Sequence, residues 1–498
     1  MNSLLNGLKN SANFTRTENG AVTHITTRSD LLDLFAMGGA MRNRSDEDCI
    51  LMFQKAYAEN PTYALKCLFY LRDCRGGQGE RRFWRVCMKW LAENDPSAAL
   101  RVLPHVPEYG RWDDLYVFIG TSLQYNALEF IKTQLALDVT CKTPSLLAKW
   151  LKSENASSHE TRRLATITRD YLGMSHKQYR KTLSLLRGRI KIVETLMSQN
   201  RWDEIEFDKI PSKAGLIYKN AFARRDVLKE KFVAFAKDKT TKVNAKTLYP
   251  YECVQEAHRE ARKSLDDASR LMANKRWDCL ADYFNGANLN ALAVVDTSGS
   301  MTWHGPVYPI DVAISLGLYC AEKAKGPFHG HYISFASRPE LIRTEGVDFC
   351  DKVRRVRDKA LCDSTNIEGV FDLLLKTALN YDCDQNDLPE NIIIISDMEF
   401  NTATRPTYRN NFTSFNTSNA ETLLEGIARK WAEYGYKMPH LIFWNVEARQ
   451  NNIPMLGNGP ISYVSGFSPA IFEQIMSGKT GYDLMMEKLD SERYAPIQ

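Results

Sequence analysis

The hydrophobic periodicity of this chain changes near residue 288, and this change constrains the fold more than any other feature. Before it, from Ser29 to about Asp282, apolar residues recur at three- and four-residue spacing, which predicts successive helices between short breaks. After it, short apolar runs alternate with amphipathic helices, a pattern typical of a doubly wound parallel sheet. We therefore predict a multi-domain chain, with an N-terminal all-α HEAT-like solenoid and a C-terminal α/β domain of Rossmann-like layout.

The predicted boundaries follow these changes of pattern. Residues 1–27 are polar and rich in Asn and Thr, which predicts a flexible arm. The helical domain is predicted at 28–287 and the α/β domain at 288–498. Strands are predicted at 289–295, 331–335, 392–395, 441–446 and 461–464. Helices among these strands are predicted at 310–325, 367–380, 420–434 and 469–476.

A polar motif follows the first of these strands. The apolar run Leu292–Val295 leads into Asp-Thr-Ser-Gly-Ser at 296–300. Ligands of open α/β sheets bind at the carboxyl ends of the strands, where this loop falls. A carboxylate and hydroxyls are hard oxygen ligands that suit a divalent ion such as Mg²⁺. The alternative is that Asp296 and Ser298 only cap the following helix.

Two later segments carry matching oxygen ligands. Thr365 precedes a predicted helix that begins near Ile367, and Asp397 follows a second apolar run. In order and spacing, the three segments resemble the metal-ion-dependent adhesion site of von Willebrand factor A domains, although the usual Gly-Gly-Thr-Asp loop is Asp-Ser-Thr-Asn here. The resemblance implies a site for Mg²⁺ or another divalent cation. Its predicted ligands are Asp296, Ser298, Ser300, Thr365 and Asp397.

The formal charge is divided unevenly along the chain. Residues 1–287 carry a formal charge of +12, whereas residues 288–498 carry −7. A basic half joined to an acidic half indicates that the N-terminal part meets a polyanion.

The segment from Thr161 to Lys191 has nine basic residues and one acidic residue. Within it, Tyr179, Leu183 and Leu186 fall on one helix face and basic side chains on the other. A face of a single charge sign suits a phosphate backbone, and the alternative is a merely solvated face. The RNA-contact candidates from this segment are Arg162, Arg163, Lys177, Arg180, Lys181, Arg187 and Lys191.

A second basic cluster surrounds a glycine-rich turn at 72–82. Its RNA-contact candidates are Arg72, Arg75, Arg81 and Arg82. A Gly-Gly-x-Gly turn can cradle a phosphate, but the lysine and the strand–loop–helix context of a nucleotide P-loop are missing. The alternative is a tight turn between helices, in which Asp73 and Glu80 pair internally with the arginines.

Other features narrow the class of protein. The 11 cysteines are scattered without a Cys-x-x-Cys pair, which predicts reduced thiols in a cytoplasmic protein. The sequence has neither an apolar run long enough to cross a membrane nor a signal-peptide core at its start. His304, His329 and His331 form no convincing catalytic constellation, so we predict that the protein is not an enzyme.

The whole chain resembles the Ro autoantigen (TROVE-module) RNA-binding proteins, which join a ring of HEAT-like helices to a von Willebrand A domain. Residues 293–301, 394–400 and 438–468 carry the resemblance, whereas the 72–82 turn and the helix at 177–180 look closer to a related family of unknown function in eukaryotes and some viruses. The resemblance implies a ribonucleoprotein that binds small structured or misfolded RNA. Its A domain would regulate the ring or capture a protein partner. A metal-dependent protein-interaction scaffold, which captures a partner's acidic residue without RNA, remains the alternative.

Overall fold

The computed structural model describes residues 12–190, 192–245, 247–284, 290–302, 307–335, 337–360, 365–401, 423–454, 456, 461–475 and 479–498. Within these residues the N-terminal half is helical and a six-stranded mixed sheet lies in the C-terminal half. The change of periodicity near residue 288 therefore predicts the change of architecture correctly.

The chain forms two compact units, neither of which is continuous in sequence. Unit 1 comprises Met1–Cys67, Leu248–Leu265 and Leu280–Ser491. Unit 2 comprises Leu68–Thr247, Asp266–Cys279 and Glu492–Gln498. This division differs from the linear boundaries predicted after residues 27 and 287, because N-terminal segments pack on the C-terminal sheet.

The helices combine periodic apolar faces with local capping. For example, Ser45 accepts a hydrogen bond from the amide of Asp48 at the start of α2, and Ser158 does the same for Thr161 at the start of α9. In chain order the helices are α1 (Asp30–Met37), α2 (Asp46–Glu59), α3 (Pro61–Arg72), α4 (Arg82–Asn94), α5 (Pro96–Val102), α6 (Val106–Tyr109), α7 (Gln124–Thr140), α8 (Leu147–Trp150), α9 (His159–Tyr171), α10 (His176–Ile190), α11 (Val193–Ser198), α12 (Ser212–Ile217), α13 (Lys219–Arg224), α14 (Asp226–Lys237), α15 (Pro250–Glu260), α16 (Ala268–Asp278), α17 (Pro309–Lys323), α18 (Phe349–Lys359), α19 (Ile367–Asn380), α20 (Leu423–Glu433), α21 (Ile471–Ile475) and α22 (Gly481–Leu489).

The strands form a hairpin and a larger sheet. The N-terminal hairpin consists of β1 (Phe14–Arg16) and β2 (Val22–His24). The larger sheet contains β3 (Ala291–Asp296), β4 (His331–Phe335), β5 (Glu340–Arg343), β6 (Asn391–Ser396), β7 (His440–Asn445) and β8 (Ile461–Ser465). Its strand order is β5-β4-β3-β6-β7-β8. All neighbouring pairs are parallel except β4 and β5, so the sheet is mixed rather than wholly parallel as predicted.

The five strands predicted in the C-terminal half are all present, with ends displaced by one or two residues. Their interior is well packed: β3 and β7 are buried along their whole length. Helix α17 lies directly on β3, where a Cβ atom at Gly317 would collide with the side chain of Val295. Glycine therefore sets the close approach of helix and sheet at this point.

The predicted flexible arm is ordered over most of its length. Residues 1–11 lie outside the described residues, but the chain from residue 13 onward forms the hairpin. The Thr17 hydroxyl donates to the carbonyl of Phe400 (2.6 Å), and the amide of His24 donates to the carbonyl of Ile453 (3.0 Å). These long-range bonds leave no signature in local composition, which explains why the sequence predicted a flexible arm.

Three further elements of the C-terminal half were not predicted, namely β5, α18 and α22. Strand β5 buries only Ile342, so its alternation is too short to recognise. Helix α18 is strongly charged, and its apolar stripe rests on Phe349, Val353 and Val356. No helix within the described part of the chain is both long and apolar enough to cross a membrane.

Candidate functional site

The predicted metal ligands lie at the point where the order of the sheet reverses. Strands β3 and β6 are parallel neighbours, and the chain continues outward from them in opposite directions. Val295 pairs with Ile395, so the two strands end at the same level. Asp296 is the last residue of β3 and Asp397 follows β6 directly. In open α/β sheets this switch point is where ligands bind.

Asp296 is held rigidly beneath the surface. Its side chain is fully buried, and its Oδ1 accepts from the amide of Ser298 at 2.9 Å while its Oδ2 accepts from the hydroxyl of Ser396 at 2.5 Å. Burial and the nearby charge of Asp397 raise the pKa of Asp296 to about 7. A cation beside this carboxylate would favour its ionised form.

The hydroxyl ligands lie on the two neighbouring loops. The hydroxyls of Ser298 and Ser300 are 2.9 Å apart. Thr365 is 1 % exposed, and its carbonyl accepts from the amide of Asn401 at 3.1 Å. Within the described residues its Oγ1 has no hydrogen-bond partner. A buried hydroxyl normally has one, so among the described residues this atom is a candidate to bind a ligand.

Asp397 already has a cationic partner, which the sequence did not reveal. Its Oδ1 accepts from the amide of Glu399 at 3.2 Å, and its Oδ2 accepts from Arg449 Nη2 at 2.8 Å. Arg449 also reaches Glu18 of the hairpin turn, with Nη1 2.8 Å from Oε2. The sequence contains one signal that could have predicted this contact. Arg449 follows the end of β7 by four residues, so it lies at the same edge of the sheet as Asp397.

The donor set fits a hard divalent cation. It offers two carboxylates and three hydroxyls at one sheet edge, and Mg²⁺ binds few carboxylates while it keeps several waters. Among the described residues there is no group of three or more His, Cys, Asp or Glu side chains that could hold a metal. A site here therefore depends on the hydroxyls, and above all on the unpartnered Thr365 Oγ1.

In unit 2, helix α10 separates apolar and basic faces as predicted. Tyr179, Leu183 and Leu186 are buried. Lys177, Arg180 and Lys181 are exposed, and within the described residues none of them forms an ion pair. Helix α10 contains no acidic residue, so this face carries positive charge that is not compensated within the helix.

Arg187 was wrongly predicted to lie on that exposed face. Its guanidinium donates to the carbonyls of Ala148 (2.8 Å) and Leu151 (2.9 Å) and to the hydroxyl of Ser153 (3.1 Å). Burial lowers its pKa from the ordinary value. Arg187 thus fixes the chain after α8, while Lys191 lies outside the described residues.

The two candidates on α9 are exposed but already bonded. Arg162 donates to the carbonyls of Ala156 and Ser157, both at 2.8 Å. Arg163 forms a bidentate pair with Glu160, with both distances 2.7 Å. Each of these guanidiniums would have to exchange an internal partner for a phosphate.

The glycine-rich turn is a packing element. The amide of Gln78 donates to the carbonyl of Tyr70 (3.1 Å) and that of Glu80 to the carbonyl of Leu71 (2.7 Å). A Cβ atom at Gly77 would collide with the carbonyl of Tyr70. These amides are therefore committed to the protein and cannot cradle a phosphate, which agrees with the alternative interpretation of a tight turn between helices. The predicted pairing of Asp73 with an arginine of the turn is wrong, because Asp73 pairs with Arg493.

The arginines around this turn differ in their accessibility. Arg72 is buried and donates twice to Asp114, at 2.9 and 2.6 Å, so its assignment as an RNA contact was wrong. Arg75 is exposed and donates to the carbonyl of Glu108. Arg81 is exposed and Arg82 is partly buried.

Comparisons with known proteins place the chain in a family. Its fold defines a class of protein with a helical N-terminal half and a mixed α/β sheet, with candidate oxygen ligands at the switch point of that sheet. A family model described as a domain of unknown function, DUF2828, matches residues 17–142 and 132–286, and a second one, DUF7788, matches residues 290–494. The chain belongs to the DUF2828 family.

Two individual proteins are similar to this chain. "Uncharacterized protein L728" of Acanthamoeba polyphaga mimivirus is 31% identical over 513 residues, which cover 94% of this chain and 85% of that relative. The crystal structure of the Ro (RSR) protein of Deinococcus radiodurans matches with a TM-score of 0.48 at 14% identity, over 91% of this chain and 100% of that structure.

Proposed function

We propose that this protein is a Ro-like RNA-binding protein, which binds small structured or misfolded RNA through the basic face of α10. The observation that carries the proposal is the exposed trio Lys177, Arg180 and Lys181, whose charge no acidic side chain among the described residues compensates. Like charges held on one face repel each other, which costs free energy. Bound phosphates would neutralise these charges, and the release of counterions from the polyanion would favour binding. A solvated structural helix would gain nothing from such a face.

In this proposal the helices of unit 2 belong to a HEAT-like ring and the sheet of unit 1 belongs to a von Willebrand A-type domain. The sheet domain binds Mg²⁺ or another divalent cation through Asp296, Ser298, Ser300, Thr365 and Asp397. The ion would supply an open coordination position for the acidic side chain of a protein partner, or would regulate the ring. The net acidic sheet half is a poor surface for RNA, so the two ligands use different units.

The remaining parts of the proposal concern setting and chemistry. The cysteines of the described residues are all free thiols, which supports a cytoplasmic setting. We assign no catalytic role, because the polar side chains at the sheet edge are ion ligands and ion-pair partners rather than a base beside a nucleophile. A metal-dependent scaffold without RNA is the second candidate, and the unpartnered Thr365 hydroxyl favours it.

The test is RNA binding by a charge-reversed α10. The variant K177E/R180E/K181E should lose at least tenfold in affinity for a small structured RNA. Because about 0.7 to 0.9 counterions are released for each phosphate contact, the negative slope of log K against log salt should become shallower by about two to three. Filter binding at several salt concentrations measures both quantities.

The matched control is K229E/K237E/K239E, which makes the same change of charge at exposed lysines on and beside α14. It should retain most of the wild-type affinity. If a folded α10 variant binds RNA as tightly as the wild type, the assignment of this surface is wrong. If the wild-type protein binds no RNA at low salt, the scaffold is the better proposal.

A further inference from the structure

The turn of the N-terminal hairpin is bonded to the chain segment that carries one of the candidate metal ligands. The amide of Glu18 donates to Glu399 Oε2 at 2.6 Å, and Asn19 Nδ2 donates to the carbonyl of Glu399 at 2.5 Å. Gly20 and Asn401 form an isolated antiparallel bridge. Glu399 and Asn401 lie two and four positions after Asp397, so the hairpin turn lies against the segment that follows this candidate ligand.

One guanidinium connects this turn to the ligand itself. Arg449 lies 2.8 Å from Glu18 on one side and 2.8 Å from Asp397 on the other. The side chain of Arg449 is 24% exposed and that of Asp397 is 1% exposed, so the pair with Asp397 is largely shielded from solvent. If Arg449 is removed from such a shielded pair, the buried carboxylate of Asp397 is left without a compensating positive charge.

An ion and Arg449 would compete for the same carboxylate. Both carry positive charge, and a divalent cation coordinated by Asp397 would stand within a few ångströms of the guanidinium, where repulsion in a poorly solvated site is large. Arg449 can leave, because its side chain is partly exposed. When it leaves Asp397, the contact that orders Glu18 over the loop is weakened as well.

We infer that Glu18, Arg449 and Asp397 form a latch, in which divalent-cation binding and docking of the hairpin turn oppose each other. Arg449 is a positioning residue that neutralises Asp397 when the ion is absent, and ion binding weakens the docking of the turn at residues 17–20. The inference rests on the proposed ion site and adds its regulation. By linkage, ion binding weakens the docking of the turn by the same factor by which the docked turn weakens ion binding, and a change that undocks the turn tightens ion binding by at most that factor.

The first measurement is Mg²⁺ affinity by isothermal titration calorimetry on the full chain. R449Q should bind Mg²⁺ at least tenfold more tightly than the wild type, and E18Q should bind it several-fold more tightly. R343Q is the matched control, because it removes an exposed arginine of the same unit, whose only ion pair within the described part of the chain is with Glu345. Its affinity should not change.

The second measurement is amide hydrogen exchange of residues 17–20 and 399–401. Saturating Mg²⁺ should accelerate exchange there in the wild type, and R449Q should already exchange fast without the ion. E18Q keeps the test decisive if R449Q fails to fold, since the Glu18 side chain is 39% exposed.

The outcomes separate the latch from the ion site beneath it. If the wild type binds Mg²⁺ and D296A does not, while R449Q and E18Q bind as the wild type does, the latch is wrong and the ion site stands. Slower exchange at residues 17–20 in the presence of Mg²⁺ would also overturn the latch. If the wild type binds no Mg²⁺ at millimolar concentrations, the proposed ion site itself is wrong.

Discussion

Glu447 lies just beyond the end of β7, buried at the same sheet edge as Asp296. Asn43 Nδ2 donates to both of its carboxylate oxygens, at 3.1 and 3.3 Å. Burial nevertheless raises its pKa to about 7, since two neutral hydrogen bonds do not replace the lost hydration. Burial likewise raises the pKa of Glu399 to about 7. The sequence shows that carboxylates stand near the strand ends, but only the structure shows that the carboxylates of Glu447 and Glu399 are buried.

These shifts make the stability of unit 1 depend on pH. The folded protein holds the Glu447 proton up to about pH 7, whereas the unfolded chain releases it near the ordinary pKa of a glutamate, 4.5. The folded state therefore binds more protons between these pH values, and its stability should fall as pH rises through that window. The loss from this one group is at most about 3 kcal/mol.

The variant E447Q should remove this part of the pH dependence. Glutamine carries no charge at any of these pH values, and its carbonyl still accepts from Asn43. We expect E447Q to be more stable than the wild type at pH 8 and similar to it at pH 4.5, as measured by urea unfolding. An equal loss of stability in the two proteins between these pH values would show that Glu447 is not responsible.

Helices α3 and α4 are joined through a buried charge network rather than through a phosphate site. Asp114 is fully buried, and it accepts from Arg72 on one oxygen and from Arg85 Nε on the other at 2.8 Å. The amide of Arg111 also donates to Asp114, at 2.9 Å. The sequence left two interpretations of this basic turn open. Long-range pairing decides between them, and a local pattern of arginines and glycines cannot encode it.

Removing the central carboxylate should therefore destabilise unit 2 strongly. D114A leaves Arg72 buried without its partner, which typically costs about 3 to 5 kcal/mol. The control is E160A, whose exposed pair with Arg163 contributes little at the surface. Chemical denaturation followed by tryptophan fluorescence measures both variants. If D114A is as stable as E160A, Arg72 is compensated by other groups.

At the scale of the whole molecule, the two compact units divide the proposed ligands between them. The oxygen ligands at the sheet edge belong to unit 1 and the basic face of α10 belongs to unit 2. A ligand that binds only the folded state raises stability by an amount set by its concentration relative to its Kd, about 2.7 kcal/mol at a hundredfold excess. Each ligand should accordingly stabilise the unit that binds it.

We expect Mg²⁺ at millimolar concentrations to raise the melting temperature of unit 1, and D296A to abolish this shift. RNA should instead act on unit 2 and should still act in D296A. Differential scanning calorimetry with each ligand alone separates the two effects. Equal melting curves of the wild type with and without Mg²⁺ would count against the ion site.

The sequence by itself determined the alternation of strands and helices, and hence that Asp296 and Asp397 lie at the carboxyl ends of two strands. Only the structure shows that these strands are neighbours in the sheet. Hydrophobic periodicity is a local signal, and parallel strands place their carboxyl ends at one edge. The tertiary structure alone decided which charged side chains are free to bind a ligand and which are bonded within the protein. Arg187 has the spacing of an exposed residue yet bonds to Leu151 and Ser153 after α8, and Arg449 contacts Glu18, which is distant in sequence. The physical reason is that a charged side chain is committed by partners that are distant in sequence, and periodicity does not report them.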